Sequence, residues 1–120
     1  FVEILMKVIK DHDMEEYVII QSFDFRTLQY LHEHYPSVKT AMLIEDFDKR
    51  ALEEQLKSLG FIPTIYSPAF ELVNESLIQQ CHQQNIKIIP WTVNDKTNID
   101  RLKKMGVDGI ISDYPNLFNE

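Results

Sequence analysis

Apolar and polar positions along the chain alternate between two periods, and each switch marks a new element. Val2, Leu5, Met6 and Ile9 recur at helical spacing with Glu3, Lys7 and Lys10 elsewhere, which predicts an amphipathic helix from Phe1 to about Lys10. Tyr17-Val18-Ile19-Ile20-Gln21 is β-branched and aromatic and predicts the first strand. It stops at Ser22-Phe23-Asp24, where Asp24 is placed to cap a helix around Thr27, Leu28, Tyr30 and Leu31 that Pro36 closes. Lys39 to Glu45 predicts a second strand, and Asp48 opens a helix whose Leu52, Leu56 and Leu59 form a stripe ending at Gly60. Phe61 to Tyr66 is a weaker strand interrupted by Pro63, followed by a helix from about Asn74 to Gln84 that buries Leu77, Ile78 and Cys81. Ile86 to Trp91 is the next strand. A short helix with Ile99, Leu102 and Met105 then leads to Gly106, and Gly109-Ile110-Ile111-Ser112 supplies a last strand before the Tyr114-Pro115 turn.

Strands alternating with helices in units of roughly 21 to 25 residues follow the tempo of βαβ crossovers, so the class is α/β with a parallel sheet. Two architectures fit: a doubly wound open sheet, complete at this length, or about half of a (β/α)8 barrel, whose usual length is about 250 residues. Periodicity does not choose between them. Two details favour the half barrel. The chain starts at Phe1 inside an apolar periodic stretch, with no Met, cap or turn before it, and no glycine-rich phosphate loop follows any strand, since Gly60, Gly106 and Gly109 are the glycines. An isolated half barrel would expose two sheet edges.

The 120 residues are 44% hydrophobic and 26% charged, as expected for one globular domain. No apolar run approaches the roughly 18 residues of a membrane span. A formal charge of −7, with Lys and Arg scattered among acids, argues against nucleic acid as a partner. A phosphate-bearing substrate would therefore need a metal or cations from elsewhere. Cys81 stands alone, which excludes an internal disulfide, and beside Leu77 and Ile78 it reads as a small buried hydrophobe. The absence of a leader before Phe1 leaves the compartment open.

In either architecture the functional face lies at the C-terminal strand ends. The residues there are Ser22-Phe23-Asp24, Glu45-Asp46, Ser67, Trp91-Thr92-Val93-Asn94-Asp95 and Ser112-Asp113-Tyr114. His12, His32, His34 and His82 all fall on or beside helices, out of reach of that face, so none is expected to be a general base. Asp24, Glu45, Asp46, Asp95 and Asp113 could converge on a hard cation, but Asp24, Asp46 and Asp95 stand where helix N-caps are wanted. Asn94-Asp95 and Ser112-Asp113 suit hydrogen bonding within the loops. Trp91 reads either as a core residue or as a flat wall with one N–H donor for a small polyol, and Phe23 poses the same choice. No serine has a neighbouring histidine, and no His/Cys cluster has zinc spacing.

At these strand ends the sequence resembles the glycerophosphodiester phosphodiesterase family. Val18-Ile19-Ile20-Gln21-Ser22-Phe23-Asp24 is similar to its Ser-Phe strand, and Ile89-Pro90-Trp91-Thr92-Val93-Asn94-Asp95 to its Trp-Thr-Val-Asn strand. Gly106-Val107-Asp108-Gly109-Ile110-Ile111-Ser112-Asp113-Tyr114-Pro115 is similar to its closing segment, with Ser112 where Thr is usual. The resemblance spans nearly the whole chain and implies the C-terminal part, residues 1–120, of a single TIM-type (β/α)8 barrel domain. The activity implied is a phosphoric diester hydrolase of lipid metabolism, releasing glycerol 3-phosphate and an alcohol from glycerophosphodiesters with a divalent cation, Ca²⁺ or Mg²⁺. In the family the His-Arg-Gly strand, the paired Glu and Asp metal ligands, the second His and a Glu-x-Lys all precede the matched segment. No catalytic or metal-binding residue is therefore expected here. Phe23 and Trp91, similar to the aromatic wall around the glycerol moiety, are the expected substrate-binding residues. The missing N-terminal half of the barrel is the expected partner, as an upstream part of the protein or as a separate piece. A self-contained flavodoxin-like binding domain without catalysis is the alternative.

Overall fold

The computed structural model describes residues 2–11 and 18–114. Helix α1 (Val2–Asp11) precedes β1 (Ile19–Ser22), α2 (Phe25–His34), β2 (Lys39–Ile44) and α3 (Leu52–Leu59). Then come β3 (Ile65–Pro68), a 3-10 turn at Phe70–Leu72, α4 (Glu75–Gln83), β4 (Lys87–Ile88) and α5 (Lys96–Met105). Tyr17, His12 and Pro115 lie outside the described residues.

The strands form one parallel sheet in the order β1-β2-β3-β4, with Gln21 beside Ala41, Ala41 beside Ile65 and Ile65 beside Lys87. That order decides the architecture. A doubly wound sheet reverses its strand order at a switch point and carries helices on both faces, whereas a barrel adds each strand beside the last and keeps its helices outside. Here Leu28, Leu52, Leu56, Leu59, Ile78, Cys81, Ile99 and Leu102, from four helices, share one core with Met42, Ile44, Tyr66 and Ile88 of the sheet. A second cluster places Met6 and Ile9 of α1 against Leu31 and Val38. Residues one step along each strand face the other way, and on β1 that face leaves Ile19 48% exposed. The fold is about half of a (β/α)8 barrel, and the flavodoxin-like alternative falls with the strand order.

Most helix boundaries follow local chemistry. Asp24, Asn74 and Asp95 cap α2, α4 and α5 by accepting from the backbone N–H of Arg26, Leu77 and Asn98. Gly60 and Gly106 end α3 and α5 at φ 90° and 99°, in the left-handed region that favours glycine. One expected cap is wrong. The N-cap of α3 is Ala51, with no side-chain bond, so neither Asp46 nor Asp48 caps it; Asp48 instead pairs with Arg50 at 2.8 Å.

Three strand readings also shift. Pairing of β3 begins at Ile65 rather than Phe61, because Pro63 has no N–H to donate and Phe61 stacks on His32 at 4.1 Å. Regular pairing of β4 stops at Ile88, ahead of Pro90, with one further bridge between Ala69 and Trp91. Segment 109–112 is not a regular strand, although Ile111 N–H reaches the Pro90 carbonyl at 2.9 Å and its own carbonyl accepts from Val93 at 3.0 Å.

Candidate functional site

Strand register assigns the residues at the mouth of the half barrel. Side chains alternate faces, so Phe23 continues the row of Ile19 and Gln21, Glu45 that of Ala41 and Leu43, and Ala69 that of Ile65 and Ser67. Trp91 pairs with Ala69 and completes the top layer of the concave face. In a flat sheet β1 and β4 would stand about 14 Å apart, three strand spacings. The Phe23 and Trp91 rings instead meet edge to face, centroids 5.6 Å apart and planes at 82°. The two rings thus bridge the row from its first strand to its last, with the small Ala69 beside Trp91.

Trp91 is tied to β3 on one side: its N–H donates to the Pro68 carbonyl at 3.1 Å and its carbonyl accepts from Phe70 N–H at 2.9 Å. The indole Nε1–H donates to the Ser67 carbonyl at 3.0 Å. The donor that the sequence offered to a polyol is therefore committed inside the fold, and what Trp91 presents is ring surface. Ser67 itself is buried and donates its hydroxyl to the Ile89 carbonyl at 2.6 Å, which makes it a structural residue at the strand end.

Two cavities flank the loop after β2. One of about 220 Å³ is lined by Phe23, Phe25, Leu43, Ile44, Glu45, Phe47, Asp48 and Arg50. The other, about 300 Å³, is lined by Glu45, Asp46, Phe47, Ala69, Phe70, Glu71, Trp91 and Thr92. Glu45 and Phe47 belong to both. Phe47, Phe70 and Glu71 were not legible as site residues, since nothing in the sequence says how the β2 and β3 loops fold toward Trp91.

The electrostatics of the rim are acidic. Arg26 bonds Asp24 and holds its carboxyl below the usual carboxylate range. Arg50 grips both oxygens of Asp48, at 2.9 and 2.8 Å, and holds it down to about 2. The Asn98 side chain and then its backbone N–H lower Asp95 in the same way. Glu45, Asp46 and Glu71 all line the larger cavity, and no Lys or Arg does.

The loop after Trp91 is closed by side chains, as expected for Asn94 and Ser112-Asp113. Asn94 Oδ1 accepts from Asp113 N–H at 2.9 Å and from the Ser112 hydroxyl at 3.2 Å, and its Nδ2 donates to Asp113 Oδ2 at 2.9 Å. The described histidines sit away from the mouth: His32 on Phe61, His34 against Tyr30 at 4.3 Å, and His82 bonded to Asp108 at 2.8 Å. Cys81 is fully buried, and burial pushes its thiol up to about 12, which suits packing and not nucleophilic attack. Among the described residues no group of three His, Cys, Asp or Glu is placed to hold a metal ion. No helix among them is long and apolar enough to cross a membrane.

A family model described as the glycerophosphoryl diester phosphodiesterase family matches residues 1–117. The chain is 33% identical over 113 residues to a glycerophosphodiester phosphodiesterase of Caldanaerobacter subterraneus subsp. tengcongensis, covering 94% of this chain and 45% of that protein. It is 26% identical to a glycerophosphodiester phosphodiesterase of Bacillus subtilis, covering 95% and 39%. Among solved structures, an Oleispira antarctica phosphodiesterase in complex with the product sn-glycerol-3-phosphate superposes with a TM-score of 0.83 at 18% identity, over 98% of this chain and 47% of that one. A glycerophosphodiester phosphodiesterase from Parabacteroides distasonis gives 0.82 at 19% identity, over 98% and 48%. The chain thus spans between 39% and 46% of the length of the curated relatives it matches.

Proposed function

The chain belongs to the glycerophosphoryl diester phosphodiesterase family, and from that membership we propose that it forms the C-terminal half of a barrel hydrolysing glycerophosphodiesters to glycerol 3-phosphate and an alcohol. The observation that carries this reading is the edge-to-face pair of Phe23 and Trp91 at the mouth. Two rings set nearly perpendicular form an apolar corner suited to the carbon face of a glycerol unit, and their rigidity costs little entropy on binding.

The charge distribution divides the labour. Arg26 and Arg50 are already paired with carboxylates, and the larger cavity is lined by acids. A phosphodiester seated here needs its charge met from residues outside this segment. The Ca²⁺ or Mg²⁺ that the resemblance implies finds no fitting ligand set among the described residues. The role assigned to residues 1–120 is to bind and orient the glycerol end, with catalytic groups and any metal ligands on a preceding half barrel. The concave face of the sheet, where Ile19 is exposed, is the surface that such a half would cover.

The test is hydrolysis of glycerophosphocholine by the complete enzyme, followed through released glycerol 3-phosphate, with and without chelator, for the parent and for Trp91→Ala. Metal-dependent turnover with a raised KM in the variant is expected. Absent or chelator-insensitive turnover, or an unchanged KM, would sink the reading. The 120-residue chain alone is expected to give no turnover, and metal-dependent hydrolysis by it would contradict the division of labour.

A further inference from the structure

Trp91 has one well-made edge and one improvised edge. Toward β3 it is held by regular backbone bonds to Pro68 and Phe70. On the other side runs segment 108–113, joined by three backbone bonds: Asp108 N–H to the Ile88 carbonyl at 3.0 Å, Ile111 N–H to the Pro90 carbonyl at 2.9 Å, and Val93 N–H to the Ile111 carbonyl at 3.0 Å. Pro90 has no N–H, so the ladder breaks immediately before Trp91.

Two side chains hold this edge on either side of the break. Ile88 lies three residues before Trp91, and its N–H donates to Asp108 Oδ2 at 2.8 Å, where a neighbouring strand would supply a carbonyl. Together with the backbone bond in the opposite direction, Asp108 grips both polar groups of Ile88, and His82 Nε2 of α4 reaches the same carboxylate oxygen at 2.8 Å. Asn94 lies three residues after Trp91 and clasps Ser112 and Asp113 through both ends of its amide. Asp108 was not among the candidates read from the sequence.

We propose that Asp108 and Asn94 are positioning residues, side-chain substitutes for a strand ladder, that fix the outer edge of the Trp91 strand and so hold the indole against Phe23 at the mouth. Their consequence for substrate rests on the pocket-wall reading above; their hold on Trp91 does not.

The chain carries one tryptophan, so its fluorescence reports Trp91 alone. Emission maximum and acrylamide quenching are measured for the 120-residue chain and for Asp108→Ala, Asp108→Asn and Asn94→Ala, each well below its own melting transition. Both alanine variants are expected to shift emission to the red and raise the quenching constant about twofold or more, as a supporting contact is lost. Asp108→Asn is expected to stay near the parent, because its amide oxygen still accepts from Ile88. A residue that only adds stability would lower the melting temperature and leave the fluorescence of the folded state alone. Folded alanine variants with unchanged quenching overturn the proposal; if Asp108→Ala does not fold, unchanged quenching in Asn94→Ala is sufficient to overturn it. An unaltered KM for Trp91→Ala in the complete enzyme would remove the wall reading while leaving the fluorescence result in place.

Discussion

The rings of Phe23 and Trp91 touch at 5.6 Å although their strands are separated by two others. That contact joins the two ends of the sheet, and the substrate wall proposed above depends on both partners. Phe23 is 47% exposed and carries the wall outward, while Trp91, half-buried and hydrogen-bonded through its indole, anchors it.

Removing Phe23 should therefore loosen substrate binding without touching the chemistry. Phe23→Ala in the complete enzyme is expected to raise KM about tenfold with kcat nearly unchanged, the pattern of lost uniform binding. Steady-state kinetics on a glycerophosphodiester check it, and a fall in kcat alone would place Phe23 elsewhere in the cycle.

Asp48 makes the fold acid-sensitive. Arg50 lowers its carboxyl from 3.8 to about 2, so the stabilisation is complete above the unfolded value and disappears as pH falls through the folded one. Because Arg50 is 43% exposed, solvent screening limits the pair to about 1 kcal/mol. Asp48→Asn should lower urea stability by that amount at pH 7, with the difference from the parent shrinking toward zero as pH falls below about 2.

Gln55 is fully buried in α3, its Oε1 accepts from the Tyr66 hydroxyl, and its side chain also helps to lower Asp48. Burial also pushes the Tyr66 hydroxyl's ionisation well up, so it stays a donor. Tyr66→Phe should cost about 1–2 kcal/mol by stranding the remaining amide oxygen, and adding Gln55→Met should recover most of it, since apolar replacement of both partners is nearly neutral. A double-mutant cycle by denaturant unfolding checks this, and additive losses would contradict it.

Gly106 ends α5 at φ 99° with open space where a Cβ would stand. Gly106→Ala should destabilise by about 1 kcal/mol through backbone strain alone. Thermal unfolding is the measurement, and a neutral result would mean that the turn relaxes to negative φ.

The sequence by itself determined what local physics controls. Helical periodicity placed the cores of α1 to α5, Asp24 and Asp95 announced caps, Gly60 and Gly106 announced helix ends, and the strand-end rule placed Phe23 and Trp91 at the mouth. It misplaced what depends on a neighbour. Asp46 looked like a cap, but α3 starts later, at Leu52. Phe61 looked like a strand, but its partner is His32 rather than β2. Tertiary structure alone decided that the strands add in order, that the Trp91 indole N–H turns inward to Ser67, and that Asp108 reaches across to Ile88. Periodicity reports which face of an element is apolar. Which elements meet across that face, and how far the sheet bends between them, is fixed by packing between residues distant in sequence.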